Sequence, residues 1–293
     1  MATVKQKRKL FHSRSRLGRS VGGDIAIFLI LCLFAAFMAL PLIYSVCNAF
    51  KPLDELFVFP PRFFVRNPTF ENFRVLVSLL GNSIVPVGRY FTNTVFLSAS
   101  ITIGHILCAS LAAYVLTKRK FPGQKTLSSM VQLSLMFTGS VTAIPNYLIL
   151  SSLGLIDTYW SVIIPSIGAS LGLFLMQQFM VGVPNALIES ARIDGAGELR
   201  IYWKIVMPVV RPAWLTLMIL QIQATWNISG GNTIFSEELK TLSYGLSQIV
   251  SAGISRTGAS AALSFVMMLV PLISFVVTQS QVMQTMATSG IKE

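Results

Sequence analysis

PNALIESARIDGAGELRIYWKIVMP, residues 184–208, is a short polar interruption between two long apolar runs. Asn185 is placed to cap a short helix that carries Glu189 in its second turn and Arg192 one turn further on. Asp194-Gly195 breaks that helix, and a second helix is expected from Ala196 to about Val206. Small residues (Ser190, Ala191, Gly195, Ala196 and Gly197) gather at the bend, where they let another protein approach the backbone closely. Ile193, Leu199, Ile201, Tyr202 and Trp203 supply apolar anchors. Two readings fit this pattern: a docking elbow for a partner, and an ordinary interfacial turn between two membrane spans.

The flanking sequence decides the solvent. Hydrophobic residues make up 53% of the chain and charged residues 12%, and that charged share is about half the usual one. A water-facing exterior of 293 residues needs more polar coating than this. Six segments reach the roughly 20 apolar residues needed to cross the hydrocarbon: 24–49, 91–117, 127–152, 159–183, 206–227 and 258–285. Several hold proline, including Pro41, Pro145, Pro165 and Pro271, which membrane helices tolerate when neighbours satisfy the freed backbone groups. The expected architecture is therefore all-α, with six transmembrane helices.

The net charge of +12 raises the question of nucleic acid, but seven of the 23 basic residues fall before Gly22. Lys5, Lys7, Arg8, Lys9, Arg14, Arg16 and Arg19 run straight into an apolar span, as a cytoplasmic anchor beside anionic lipid does. No basic stripe interleaved with aromatics follows, so nucleic acid is not expected as a partner. The apolar run from Ile25 to Ala49 is too long for a signal core and reads as a retained span. With the N-terminus inside, sixteen Lys and Arg fall on the inner side and seven on the outer, which puts both ends in the cytoplasm. The expected organisation is a basic tail 1–23, a first span 24–49, an external loop 50–90, a five-span core within 91–285 and a tail 286–293. The core holds the cytoplasmic segment 184–205 and an external loop 228–257 that carries Glu237, Glu238 and Tyr244. The loop 50–90, rich in proline and aromatics, is expected to lie flat along the membrane surface. Cys32, Cys47 and Cys108 fall inside spans without paired spacing and read as small apolar fillers, so no metal site is expected.

The run Glu189-Ser190-Ala191-x-x-Asp194-Gly195-Ala196, followed by Tyr202, Ile205 and Pro208, resembles the EAA motif of ABC importer permeases. Ser190 stands where alanine is usual and Tyr202 where phenylalanine is usual. Further matches follow in order: Pro41-Leu42 with Asn48-Ala49-Phe50-Lys51, Asn93-Thr94, Ala112-Ala113-Tyr114 before Phe121-Pro122-Gly123, and Pro145-x-Tyr147 before Leu153-Gly154-Leu155 and Thr158. Together they resemble the carbohydrate branch, the maltose-type permeases of the shorter, G-like kind. The segment from Phe59 to Phe64 with Asn67-Pro68-Thr69 resembles the part of that branch handling larger or acidic oligosaccharides.

The resemblance implies a type I importer permease in the bacterial plasma (inner) membrane, forming half of a path for an oligosaccharide. It implies a second permease, two ATPase subunits and an external binding protein as partners, with ATP and magnesium held by the ATPase subunits and no cofactor by this chain. Glu189, Ser190, Ala191, Asp194, Gly195 and Ala196 would then make the docking elbow, and Tyr202 and Ile205 would pack it against the spans. The loop 228–257 would reach toward the binding protein. No Walker A loop and no nucleophile–base pair appears in the sequence, so no catalysis is expected of the chain.

Polar residues inside spans are the candidates for sugar contact. Gln223, Trp226 and Asn227 lie at i, i+3 and i+4 on the fifth span and share one face. Asn146 and Tyr147 follow Pro145, where the third span is expected to bend. Gln177 and Gln178 stand about 100° apart on a helix, so at most one faces the path, and Gln177 is the candidate. The same residues also suit hydrogen bonding between helices, as does His105. No charged side chain falls in the middle of any span, which argues against an ion-coupled secondary transporter, the main rival class. An ABC permease for a different solute stays open.

Overall fold

The computed structural model of the chain describes residues 21–81, 86–137 and 139–289. The basic residues Lys5 to Arg19 and the C-terminal Lys292 lie outside these. The described residues are helical with connecting turns and contain no strand. The main helices are α1 (Val21–Phe50), α2 (Glu71–Gly81), α3 (Val87–Lys118), α4 (Gln124–Ser134), α5 (Gly139–Ser152) and α6 (Trp160–Ile167). After them come α7 (Ser170–Val181), α8 (Asn185–Ile193), α9 (Glu198–Val209), α10 (Arg211–Trp226), α11 (Leu242–Ser251) and α12 (Thr257–Ser289). Among the described residues, four candidate spans are long and apolar enough to cross a membrane, six if each of two bent pairs is one span.

The bends depart from expectation. The third span is the pair α4 and α5, whose axes differ by 112°, and the break falls before Gly139. Pro145, where a bend was expected, lies inside α5. In the fourth span α6 ends at Gly168, and α7 starts after the extended Ala169. The fifth span is shorter than 206–227, because the chain turns by 77° between α9 and α10. Val210 occupies that corner between Pro208 and Pro212, and neither proline can donate a backbone N–H to a continuing helix.

α3 is the central strut, packed against α6, α7 and α10, while α12 packs against α10, α1 and α2. One buried cluster joins Ala113, Tyr114, Met176, Met180, Ile188 and Tyr202 near the polar segment. A second joins Leu76, Tyr90, Trp226, Leu242 and Leu263 at the opposite end. α1 is apolar all round and none of its most hydrophobic window is buried, as expected of a helix whose outward solvent is lipid. α3 and α7 touch where His105 meets Gly172. His105 bonds the Ile167 carbonyl through Nδ1 at 2.8 Å, and a Cβ added at Gly172 would stand 1.9 Å from its Nε2.

The segment after α1 is folded. Residues 51–81 fold back onto the ends of α1 and α12 around buried polar pins. The Asn72 amide donates to the carbonyls of Ala49 and Lys51 at 3.0 and 2.7 Å. Lys51 donates to Asn48 Oδ1 and to the Arg62 carbonyl, and Glu55 accepts the Arg66 N–H at 2.8 Å. These charges are buried because their hydrogen bonds are satisfied within the loop.

Candidate functional site

The polar segment folds as an elbow. α8 begins after Pro184, whose fixed φ suits a helix start. Asn185 does not cap it: its Oδ1 instead accepts a hydrogen bond from Lys118 Nζ at 3.2 Å. α8 buries Ile188 and Ala191 and leaves Glu189, Ser190, Arg192 and Ile193 exposed. It ends in a Schellman motif. Gly195 takes φ +77° and donates to the Arg192 carbonyl, while Ala196 donates to the Ala191 carbonyl at 2.9 Å. The second helix starts at Glu198, two residues later than expected. A π turn over Tyr202–Val206 interrupts it, a feature frequent at functional sites. Tyr202 is buried, hydrogen-bonded to Ser110 Oγ at 2.6 Å, with its ring 5.7 Å from that of Tyr114. Ile205 is partly buried against the same cluster. The bend therefore stands out with Ser190, Asp194, Gly195 and Gly197 exposed, whereas Ala191, expected at the docking elbow, is buried and Ala196 is partly buried against the apolar cluster that holds the bend to the spans.

A cluster of polar side chains ties the elbow to α3. Glu198 accepts from Tyr114 Oη at 2.8 Å and Arg192 Nε at 3.0 Å, and pairs with Arg119 Nη2 at 2.5 Å. Lys118 Nζ donates to the Val183 carbonyl at 2.6 Å. Glu198 lies 84 residues from Tyr114, so spacing alone does not pair them. The one available signal was an acidic residue in the first turn of the second helix.

The expected path residues separate. Gln223 and Asn227 are exposed, but Trp226 is buried with its ring 6.4 Å from that of Phe91. The three residues span about 100° of the helix wheel, and the edge of the core runs between them. Gln177 is also buried, while Gln178 is exposed. The Gln177 and Trp226 side chains thus lie inside the subunit and not on an open face. Gln177 Nε2 and Trp226 Nε1 have no hydrogen-bond partner among the described residues. Asn146 and Tyr147 are exposed on α5.

Asn227 does line an opening, at the end of the bundle opposite the elbow. A cleft of about 430 Å³ runs between α6 and the turn after α10, edged by Ser161, Pro165, Ser166, Asn227, Asn232 and Thr233. Its polar groups are hydroxyls and amides, and no charged side chain lines it. The turn is held in place by Asp157, whose carboxylate accepts the Phe235 and Ser236 backbone N–H groups at 2.8 and 2.7 Å and the Ser236 hydroxyl. These bonds, the Ser236 hydroxyl's first, hold the Asp157 carboxyl below the usual range. Asn93 Nδ2 adds bonds to the Glu238 and Lys240 carbonyls at 2.7 and 2.9 Å.

An all-helical bundle with several membrane-spanning helices, an exposed elbow at one end and a polar cleft at the other has the features of a membrane transport subunit. The chain belongs to the family described as binding-protein-dependent transport system inner membrane component, which matches residues 105–284. It is similar to the polygalacturonan/rhamnogalacturonan transport system permease protein YtcP of Bacillus subtilis, 30% identical over 70% of this chain and 69% of that one. It is also similar to the arabinooligosaccharides permease AraQ of Halalkalibacterium halodurans, 30% identical over 66% of this chain and 69% of that one. The permease UgpE of Yersinia pestis, of an sn-glycerol-3-phosphate transport system, is 31% identical over 50% of this chain and 53% of its own. In fold, the chain resembles one chain of a bacterial ABC transporter involved in importing the acidic polysaccharide alginate. The TM-score is 0.76 at 20% identity, covering 89% of this chain and 98% of that one. This chain is therefore a multi-pass inner-membrane component of an ABC-type transport system, and the ion-coupled alternative falls away.

Proposed function

We propose that this subunit forms half of the path for an oligosaccharide delivered by an external binding protein, with both termini in the cytoplasm. In this reading residues 184–205 dock on an ATPase subunit, with Glu189, Ser190, Asp194 and Gly195 at the contact and the half-buried Ala196 at its edge, while Ala191, Tyr202 and Ile205 anchor them from behind. The elbow carries the proposal: small and polar residues stand exposed at its bend while Ile188, Ala191, Ile201 and Tyr202 are buried behind it. ATP and magnesium belong to the partner ATPase subunits, and this chain contributes no catalysis. A second permease completes the path, along which Asn146, Tyr147, Gln223 and Asn227 are open to contact. ATP-driven closure of the ATPase subunits moves the elbow as a rigid body and swings the spans between inward-open and outward-open forms.

Support for a sugar comes from the uncharged hydroxyl and amide lining around Asn227, which suits a solute rich in hydroxyls. The names of YtcP and AraQ point the same way. The test is ATP hydrolysis by this chain co-expressed with a second permease and an ATPase, in liposomes, with binding protein and candidate solutes. Acidic and neutral oligosaccharides and glycerol 3-phosphate form its arms. Stimulation only by oligosaccharide-loaded binding protein supports the proposal. Stimulation by glycerol 3-phosphate alone replaces the solute, and failure of any ATPase to co-purify overturns the docking assignment.

A further inference from the structure

We infer that Glu198 is a positioning residue: it pins the coupling elbow to the inner end of α3, so that α3 and the elbow move as one body. This rests on the reading of residues 184–205 as the docking segment. Three groups converge on the one carboxylate from separate places: the Tyr114 hydroxyl on α3, the Arg119 guanidinium just after it, and the Arg192 guanidinium at the end of α8. Lys118 forms a second tie, joining the last turn of α3 to the Val183 carbonyl and to Asn185. Ser110 and Tyr202 form a third, deeper in the bundle. The last turns of α3 thus grip the elbow before α8, at the start of α9 and within α9. Because α3 is also the helix that α6, α7 and α10 pack against, a displacement of the elbow held in this way reaches the core of the bundle.

Stability is a poor explanation for the arrangement. The Arg119 and Glu198 side chains are 43% and 39% exposed, and exposed ion pairs contribute little to folding. What three fixed donors do give one acceptor is a defined direction. Without Glu198 the apolar anchor and the Lys118 and Ser110–Tyr202 ties would remain, but the start of α9 and the end of α8 would lose their common hold on α3.

Glu198→Ala and the double variant Tyr114→Phe/Arg119→Gln remove the pin from opposite sides. Each is assembled with its partners in liposomes, and solute uptake and ATP hydrolysis are measured in the same vesicles. We expect both complexes to assemble and hydrolyse ATP while solute moved per ATP falls about five-fold or more, the lower end of ordinary coupling between sites. An unchanged ratio in either variant overturns the inference. Loss of ATPase co-purification in the Glu198 variant alone also overturns it, since Glu198 would then belong to the dock itself. If the ATPase fails to bind even the unsubstituted chain, the docking reading falls instead.

Discussion

At the scale of single residues, contact distance decides more than residue type. His105 looks in the sequence like a polar residue searching for a role, and the structure gives it a structural one, bonded to the Ile167 carbonyl and lodged over Gly172. Gly172→Ala should push the imidazole out and lower stability by about 1–3 kcal/mol, read as an earlier melting transition of the purified assembly in detergent. Gly195 differs: a Cβ there meets nothing within 4 Å in its own chain. Its φ of +77° makes any L side chain unfavourable, by about 1–2 kcal/mol, which a stable bundle tolerates. Gly195→Trp should therefore leave membrane insertion intact and abolish uptake; normal uptake would refute the docking elbow. The elbow residues were legible because their types and spacing are local. Trp226 and Gln177 were not placed correctly, because a helix wheel gives relative direction but not where the edge of the core falls. The Glu198 cluster was invisible for another reason: its members come together only when α3 crosses the elbow.

At the scale of elements, hydropathy located the spans but not their interruptions. The break between α4 and α5 runs over the apolar Leu135-Met136-Phe137, and Gly139 at the start of α5 is a weak signal for it inside an otherwise continuous apolar run. Pro145, Pro165 and Pro271 sit within helices. The corner at Val210 was signalled most strongly, by the flanking Pro208 and Pro212. The turn after α10 is tied by the Asp157 carboxylate and by Asn93. Because Asp157 is held below its ordinary value, its contribution is complete above about pH 4 and fades only as pH falls through the lowered folded value. Acidification to about pH 5 should therefore leave the turn intact. Asp157→Asn should loosen it at neutral pH, seen as faster hydrogen–deuterium exchange at the Phe235 and Ser236 amides. Unchanged exchange would show that the Asn93 bonds hold the turn alone.

At the scale of the whole molecule, the scarcity of charge in the sequence and the apolar exterior of α1 are the same fact. The sequence shows a chain without enough polar surface for water, and the structure shows a helix that keeps its apolar side chains outward. With no charge in mid-span and a docking elbow at one end, transport should draw on ATP and not on an ion gradient. Uptake should thus survive a protonophore while ATP is maintained, and collapse under those conditions would contradict the proposed energy source. The elbow's exposed bend has one more consequence. A Cβ at Gly197 has nothing of its own chain within 4 Å, so a bulkier residue there leaves almost no mark on the melting behaviour of the lone subunit. A library of variants ranked by thermal resilience would score such a lesion among its healthiest members, and only the reassembled machine would reveal that it no longer turns.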